Sequence, residues 1–500
     1  MTDNHNKLSI LKLDPNYPQP KVIDSLLRDE LKMIRDFVSS DPFGSHVFPG
    51  VSETYPEENY FEDLHRSLTA APEFHLWGTI PLCNYRCKFC QFAVIVRHHN
   101  EDKGLEQSAD WVSMNKLEAR LFIDRVPQIA RTPVGEYNLF GGTPTQLPDD
   151  LLAEIIEFYL DNFNFTQAST VRVEGSPESM TKDKLRLLKS VGVNKLSYGI
   201  QSFDDEQLRI SGRHHSGKDA VRVCEDARAL GFDRISGDLI YGLAGQTVAS
   251  FLADVQRCIA LGLDTIVITK LHLLSFKETN TAIAGIAPAA WESAARRKKL
   301  EDDGYRWPSL GEIYQMREEA VKLLTSAGYG EHPTMYFQKK EAGPERWKSI
   351  MVDQDKQFPD VGIGLGASQQ NTYSTASIET HPKSYSALLA QGKVPFGSIR
   401  ALDAEAVRRR FVQMALSTCQ PVLGAVFRQK FNEPLFSQRI VTDLELLEKA
   451  ALLSLDPGEE TITLSETGQT LVEAIINVDM SPTRASKPPH SRSASLPVVS

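Results

Sequence analysis

Apolar positions in the middle of the chain follow two alternating spacings. Short β-like runs occur at residues 76–82, 136–142, 170–177, 195–202, 234–243 and 265–274. Between them, apolar residues recur every three or four positions at 114–130, 149–160, 182–190, 217–230 and 247–262, which predicts amphipathic helices. Strands that alternate with helices form a parallel sheet with right-handed crossovers. The pattern therefore predicts an α/β fold, a partial (β/α)6 TIM-like barrel.

The flanking regions have different patterns. Residues 1–70 carry a helical stretch at 21–38 and are interpreted as an N-terminal extension before a catalytic core at 71–280. Residues 281–400 are interpreted as an insertion followed by the remainder of the catalytic domain, with a helix at 310–327. Residues 401–480 predict a mostly helical, winged-helix-like domain. The last segment, 481–500, is rich in Ser, Pro and Arg and is predicted to be disordered.

Composition and charge limit the kinds of binding partner that the chain is expected to have. The chain has 500 residues, 41% of them hydrophobic, and a net charge of −10 with no long basic stripe, so we expect no nucleic-acid partner. No run approaches the length of a membrane span, and the first residues lack the apolar core of a secretory signal. Three of the six cysteines (Cys224, Cys258 and Cys419) lie singly, as buried small hydrophobes. A reducing, cytoplasmic location fits this usage best.

The other three cysteines crowd into "CNYRCKFCQF". Cys83, Cys87 and Cys90 have the spacing C-x3-C-x2-C after the first predicted strand. A zinc site would need a fourth ligand, for which His98 and His99 are the near candidates. A disulfide would leave one thiol over. An iron–sulfur cluster held by three thiolates, with one iron open for a non-protein ligand, is the interpretation that the spacing favours.

The chemically suggestive residues fall where predicted strands end. In barrel-type α/β proteins the carboxyl ends of the strands carry the active site. The turn "FGGTPT" at 140–145 follows the second long strand, and its two glycines allow a close approach to the backbone. We expect exposed N–H groups there to bind a carboxylate or amine. The sequence therefore predicts an active site at this end of the barrel.

The cysteine motif resembles that of the radical S-adenosylmethionine (SAM) enzymes. The resemblance implies a [4Fe–4S] cluster on Cys83, Cys87 and Cys90, with SAM bound to the fourth iron and cleaved reductively to a 5′-deoxyadenosyl radical. Phe89 resembles the aromatic residue that packs on the adenine of SAM in this superfamily.

Further motifs narrow the resemblance. "FGGTPT", "VEGSPE" (173–178), "LSYGIQSFDDEQL" (196–208), "SGRHH" (211–215), "GDLIYGLAGQT" (237–247) and "VGIGLGAS" (361–368) occur in the order seen in the oxygen-independent coproporphyrinogen III oxidase family. That family includes a haem chaperone and the class C radical SAM methyltransferases and cyclopropanases. The resemblance implies two SAM molecules: Gly141 and Glu174 meet the first, and a second set contacts the other. This second set is Gly142, Thr143, Gln201, Arg213 and Asp238.

Three departures from the oxidase pattern favour one branch of this family. Phe92 stands where the oxidases usually have a fourth cysteine, Trp77 replaces their SAM-contacting tyrosine, and Thr79 replaces a histidine. These differences favour the methyltransferase and cyclopropanase branch. The predicted function is therefore transfer of a one-carbon unit from the second SAM to an sp2 carbon of a small or carrier-bound unsaturated natural-product intermediate, with flavodoxin or ferredoxin as reductant. The alternatives are a coproporphyrinogen oxidase, a haem chaperone and a zinc-binding interaction protein.

Overall fold

The computed structural model describes residues 12–26, 28, 31, 34, 55–271, 289–339 and 358–477. The predicted disordered tail at 481–500 lies outside these residues, as do half of the predicted helix at 21–38 and the first part of the insertion. In the described part of the chain, no helix combines the length and apolar character needed to cross a lipid bilayer.

The strands occur in three sheets. In chain order they are β1 (Phe74–Ile80), β2 (Leu82–Cys83), β3 (Ile95–Val96), β4 (Pro133–Gly141), β5 (Asn164–Gly175), β6 (Lys195–Gln201), β7 (Arg234–Tyr241), β8 (Thr265–Lys270), β9 (Tyr329–Glu331), β10 (Tyr336–Lys339), β11 (Asp360–Ile363), β12 (Ser368–Gln370), β13 (Ser374–Ile378), β14 (Phe396–Ala401), β15 (Val422–Leu423), β16 (Leu453–Asp456) and β17 (Thr461–Leu464).

The helices connect and cover these strands. They are α1 (Lys21–Leu26), α2 (Glu57–Ala70), α3 (Glu101–Arg125), α4 (Asp149–Asn162), α5 (Lys182–Ser190), α6 (Asp205–Ile210), α7 (Gly217–Ala229), α8 (Val248–Ala260), α9 (Ala294–Asp302), α10 (Leu310–Ser326), α11 (Pro382–Ala390), α12 (Ala404–Ser417), α13 (Gly424–Phe431), α14 (Arg439–Lys449), α15 (Glu466–Thr470) and α16 (Val472–Asn477).

Six parallel strands form the centre of the main sheet, in the order β1-β4-β5-β6-β7-β8. β11 adds a seventh parallel strand beside β1, whereas β12, β13 and β14 continue outward from β11 as antiparallel strands. On the other side, β10 and β9 follow β8 as antiparallel strands. The predicted partial (β/α)6 barrel is confirmed, and its strands point their carboxyl ends to one side.

Helix α3 differs most from its prediction. The sequence predicted a helix at 114–130, whereas α3 begins at Glu101, after Asn100, whose side chain accepts a hydrogen bond from the N–H of Lys103. The first turns of α3 are mostly polar, so the apolar spacing that marks a helix is weak there. The helix stops before Pro127, where a 3-10 turn begins. The cap, rather than the apolar stripe, sets the start of this helix.

Two main hydrophobic cores hold the chain together. The larger one packs α2 and the connecting helices against the main sheet. The second joins Val22, Ile23 and Leu26 of α1 to the C-terminal helices in one cluster, which also includes Phe411 and Leu447. The C-terminal helices accompany a three-stranded antiparallel sheet of β15, β17 and β16, which are the elements expected of a winged-helix-like region. The domain limits predicted from the sequence stay a prediction.

Candidate active site

The three clustered cysteines lie in residues 83–90, beyond the carboxyl end of β1. We call this segment the cluster loop. Each of Cys83, Cys87 and Cys90 is half-buried and free of disulfide bonds. Burial raises the pKa of the Cys83 thiol to about 11 and that of Cys90 to about 12. The neutral thiols of Cys83 and Cys90 are therefore favoured, and binding of iron would replace their protons.

A guanidinium group lies directly beside this loop. Arg213 donates from Nη1 to Sγ of Cys87 at 3.4 Å, and from Nη2 to the carbonyl of Gly199 and to Oγ of Ser176, both at 2.8 Å. Three thiols in one loop, one of them against a cation, fit an iron–sulfur cluster held by three thiolates, because such a cluster places negative charge on its sulfurs. The donor set therefore fits the group that the sequence predicts.

Single-ion metal sites need a tighter arrangement. Within the described ranges, no three His, Cys, Asp or Glu side chains converge as they would around one metal ion. The zinc candidates His98 and His99 stack on each other with ring centroids 4.6 Å apart, and Nδ1 of His98 accepts from the N–H of Asn100. A cubane cluster distributes its thiolates over separate irons and does not require that convergence.

The cluster loop is braced by a network that the sequence analysis missed. The Tyr85 hydroxyl donates to Oε1 of Glu178 at 2.5 Å, and the hydroxyl of Ser176 donates to the other carboxylate oxygen. Nδ1 of His215 lies 3.5 Å from the same carboxylate. Burial alone would raise the pKa of Glu178, but His215, Ser176 and Tyr85 lower it to about 2. An ionised Glu178 thus joins the cluster loop to the end of β5 and to the segment before α7.

The glycine turn acts differently from its prediction. The N–H of Gly142 donates to the carbonyl of Ile80, and the N–H of Thr143 donates to the carbonyl of Leu82, both at 2.8 Å. A Cβ atom on Gly142 would lie 2.3 Å from the Leu82 carbonyl oxygen. The prediction that these N–H groups are exposed for a ligand is wrong, because the start of the cluster loop occupies them. The hydroxyl of Thr143 lies 3.4 Å from Sγ of Cys83.

Arg213 also departs from its predicted role. Both of its terminal nitrogens are bonded within the protein, and its Cζ lies 6.0 Å from the centroid of the Tyr85 ring. Its terminal nitrogens are thus already used within the protein, and the predicted contact of Arg213 with the second SAM stays a prediction. The partners of a long side chain depend on which loops meet around it, and the motif alone does not give this.

Two other residues predicted to contact the second SAM, Gln201 and Asp238, have polar atoms that remain available to a ligand. Gln201, at the end of β6, adopts a left-handed φ of 64°, and its Oε1 makes no hydrogen bond to the described residues. Asp238 on β7 makes no hydrogen bond or ion pair within the same set. Burial raises the pKa of Asp238 to about 7, and the nearby Glu174 carboxylate adds to this rise. These groups suit a cationic or hydrogen-bonding ligand.

Glu174 and Gly141 lie between these groups and the cluster loop. Oε1 of Glu174 accepts from Nδ2 of Asn138 at 3.1 Å and lies 3.4 Å from Nη2 of Arg172. About a third of its side chain is exposed, at 35%. Gly141 has a φ of 109°, and a Cβ there would lie 2.6 Å from the Thr79 methyl group. Both residues therefore occupy the carboxyl end of the sheet, as predicted.

The two predicted aromatic contacts have protein neighbours. The ring of Trp77 meets Phe140 edge-on with centroids 5.1 Å apart, and the Arg172 guanidinium lies 5.8 Å from its centroid. Phe89 belongs to a small apolar cluster with Trp291, at a centroid distance of 6.3 Å. The predicted packing of Phe89 on an adenine stays a prediction.

Comparison with known proteins identifies the central domain. Residues 77–258 match the family described as the radical SAM superfamily. The oxygen-independent coproporphyrinogen III oxidase of Escherichia coli strain K12 is 28% identical over 448 residues, covering 87% of this chain and 88% of that protein. The heme chaperone HemW of Bacillus subtilis is 23% identical over 394 residues, covering 78% and 95%.

A solved structure has the same fold. Coproporphyrinogen III oxidase from Escherichia coli, described as a radical SAM enzyme, superimposes with a TM-score of 0.69 at 23% identity, covering 84% of this chain and 93% of that one. This chain therefore contains a radical SAM domain, with the α/β fold and the helical C-terminal region of that structure. The predicted cofactors, a [4Fe–4S] cluster and SAM, are those of the superfamily.

These relatives contradict the predicted activity. Proteins that match over most of both chains include coproporphyrinogen oxidases and a heme chaperone. The prediction of a class C methyltransferase or cyclopropanase is wrong. It depended on the departures at Trp77, Thr79 and Phe92, and three substitutions carry less information about function than similarity along the whole chain.

Proposed function

We propose that this protein is a radical SAM enzyme that removes hydrogen from a porphyrinogen propionate side chain, as in the oxygen-independent coproporphyrinogen III oxidases. The observation that carries the proposal is the length of the match: similarity to the Escherichia coli oxidase covers 87% of this chain and 88% of that protein. It therefore includes sequence far beyond residues 77–258, where the superfamily motifs lie. In this reaction a propionate would become a vinyl group with loss of carbon dioxide; a radical derived from SAM would take the hydrogen atom, and a separate one-electron acceptor would take the electron.

The residues divide into two sets under this proposal. When bound, the [4Fe–4S] cluster and SAM supply the radical chemistry that removes the hydrogen atom. Cys83, Cys87 and Cys90 hold the cluster, and Gly141 and Glu174 face its SAM. We assign Gln201, at the end of β6, and Asp238, on the neighbouring strand β7, to a second SAM, because neither Oε1 of Gln201 nor the Asp238 carboxylate has a hydrogen-bond partner among the described residues. The protein's task is to fix the distance between the reacting groups and to exclude water.

A heme chaperone is the second candidate. Phe92 stands where the oxidases usually have a fourth cysteine, and its side chain is 54% exposed. Val96, four residues further on, is 49% exposed. Exposed apolar side chains beside the cluster loop favour a binding surface for a flat apolar macrocycle or for a protein that receives it. This role would conserve the cluster motif without turnover of a porphyrinogen.

One anaerobic experiment separates the two functions. Reconstituted protein is incubated with SAM, a reductant and coproporphyrinogen III, and the products are analysed by mass spectrometry. The proposal predicts a decarboxylated porphyrinogen together with 5′-deoxyadenosine whose added hydrogen derives from the propionate. Haem binding by absorbance, with no decarboxylated product, would instead establish the chaperone role.

Cysteine variants give the matched controls. Cys83→Ala, Cys87→Ala and Cys90→Ala should each abolish reductive SAM cleavage, because each removes one of three cluster ligands. Cys224→Ala and Cys258→Ala should retain it, since both thiols are buried in the main hydrophobic core. Cleavage that persists without all three cluster cysteines would contradict the assignment of the metal site.

A further inference from the structure

A basic surface cavity lies against the back of the cluster loop. It has a volume of about 460 Å³, and its lining includes four cationic side chains, Lys88, Arg209, Arg296 and Lys299, but a single acidic one, Asp303. The chain as a whole carries a net charge of −10. This cavity therefore concentrates positive charge on a molecule whose net charge is negative.

Three of the four cations have no acidic partner. Arg209 is held by Glu206 through two hydrogen bonds of 2.6 and 2.7 Å. Lys88, Arg296 and Lys299 form no ion pair with a described residue. Like charges around one cavity repel each other unless an anion lies between them. The cavity is thus electrostatically suited to receive negative charge from outside the chain.

The cavity is connected directly to the cluster loop. Lys88 lies between the predicted cluster ligands Cys87 and Cys90, and its backbone carbonyl accepts a hydrogen bond of 3.0 Å from the N–H of Trp291. Trp291 is buried at 1% exposure, forms part of the cavity wall, and has no hydrogen-bond partner for its indole N–H among the described residues. An anionic group entering the cavity would therefore lie next to the backbone that holds the cluster.

We propose that this cavity and its cationic rim are the docking surface for an acidic electron-transfer protein. Three observations select this occupant over a small anionic metabolite. Arg209, Arg296 and Lys299 are exposed at the rim, where they act at long range on an approaching protein. The apolar floor is small, which suits the weak interfaces of redox encounters. The nearest functional group is the cluster, which takes up one electron when the reduced donor loses one.

Charge reversal provides the direct test. The double variant Arg296→Glu/Lys299→Glu is compared with Lys383→Glu/Lys393→Glu, which changes the net charge equally at exposed sites in and just after α11. Binding of an acidic FMN-containing flavodoxin is measured by calorimetry at low and high salt, with cluster-free and reconstituted protein. We expect the cavity variant to weaken binding at least about tenfold at low salt, and the control to change it less than about twofold. Binding to the unaltered protein should weaken as salt increases.

A second measurement concerns electron delivery. Reduction of the cluster by reduced flavodoxin should be at least about tenfold slower in the cavity variant. Reduction by reduced methyl viologen, a small cation that needs no docking surface, should remain unchanged. Equal behaviour of the cavity and control variants would overturn the proposal. So would a cavity variant that loses binding of coproporphyrin III, a small polyanion, while it keeps flavodoxin binding. None of these measurements needs turnover of a substrate, so they do not depend on the proposed reaction.

Discussion

The guanidinium of Arg213 donates from Nη1 to the sulfur of Cys87 over 3.4 Å, although 126 residues separate the two in the chain. The same side chain is bonded to the carbonyl of Gly199 at the end region of β6. A cation that contacts a cluster ligand stabilises negative charge on the sulfur. This contact indicates that Arg213 helps to stabilise the cluster through its ligand Cys87.

Replacement of Arg213 should therefore impair the cluster itself. Arg213→Ala removes hydrogen bonds that involve a charged group, worth about 1.5–3 kcal/mol. We expect SAM cleavage without substrate to slow by roughly ten- to a hundredfold, with a more negative cluster potential in an EPR-monitored titration. Arg228→Ala, on the exposed side of α7, is the control. If the reduction potential of the cluster and the rate of SAM cleavage were unchanged, the contact between Arg213 and Cys87 would not contribute to function.

Gly142→Ala tests the close approach of the glycine turn to the cluster loop. The added Cβ would lie 2.3 Å from the Leu82 carbonyl oxygen, so the backbone leading to Cys83 must move. Such overpacking costs about 1–3 kcal/mol, and we expect less bound iron after reconstitution and a lower melting temperature. At Gly397 the nearest backbone atom would lie 3.4 Å away. Gly397→Ala should therefore behave as the parent protein; equal effects of both variants would contradict this interpretation.

Asp238 should make ligand binding depend on pH. Burial raises its pKa to about 7, so the carboxyl group is mostly protonated below that value and ionised above it. A cationic ligand such as SAM binds the ionised form better. In cluster-free protein, we expect its affinity to increase about tenfold between about pH 6 and about pH 8. Calorimetry should show no such change in Asp238→Asn, whereas the exposed-site variant Asp124→Asn should retain it. A parent protein whose affinity is constant over this range would exclude Asp238 from the site.

Glu118 should make the stability of the fold depend on pH. Its side chain is fully buried in α3, where it accepts from the Tyr385 hydroxyl at 2.6 Å, and burial raises its pKa from 4.5 to about 8. Between these values the folded protein holds a proton that the unfolded chain has released. Its contribution to the free energy of unfolding therefore falls as the pH rises through this window.

Glu118→Gln should remove this part of the pH dependence. Urea denaturation of the cluster-free protein at about pH 5.5 and about pH 8 would measure it. The variant should lose less stability than the parent between the two conditions, and the exposed-site variant Glu157→Gln should behave as the parent. A parent and a Glu118→Gln variant with the same pH dependence would contradict the raised pKa.

The sequence predicted the sheet better than the contacts around the site. Five of the predicted helices match α4, α5, α7, α8 and α10 to within a few residues, because each has an apolar stripe that packs on the sheet. The choice of Glu174, Gln201 and Asp238 came from the resemblance to the oxidase family; Glu174 and Gln201 lie at the ends of β5 and β6, and Asp238 lies within β7. Side-chain partners did not, since the Tyr85–Glu178 hydrogen bond joins loops 93 residues apart. Glu178 lies in the motif "VEGSPE", but nothing in that motif indicates a tyrosine from the cluster loop.

The second hydrophobic core affects how the chain folds during synthesis. Val22, Ile23 and Leu26 emerge from the ribosome before many other members of their core, and residues such as Phe411 and Leu447 are made about four hundred residues later. At roughly 5–20 residues per second this interval lasts tens of seconds. The parallel sheet can form in that time, whereas the part of this core that the C-terminal helices supply must wait. Between α1 and residue 404, the described members of this core are Leu31, Ile34, Tyr314 and the partly buried Leu310. A chain that stops before residue 404 therefore lacks most of the apolar residues that complete the core around α1.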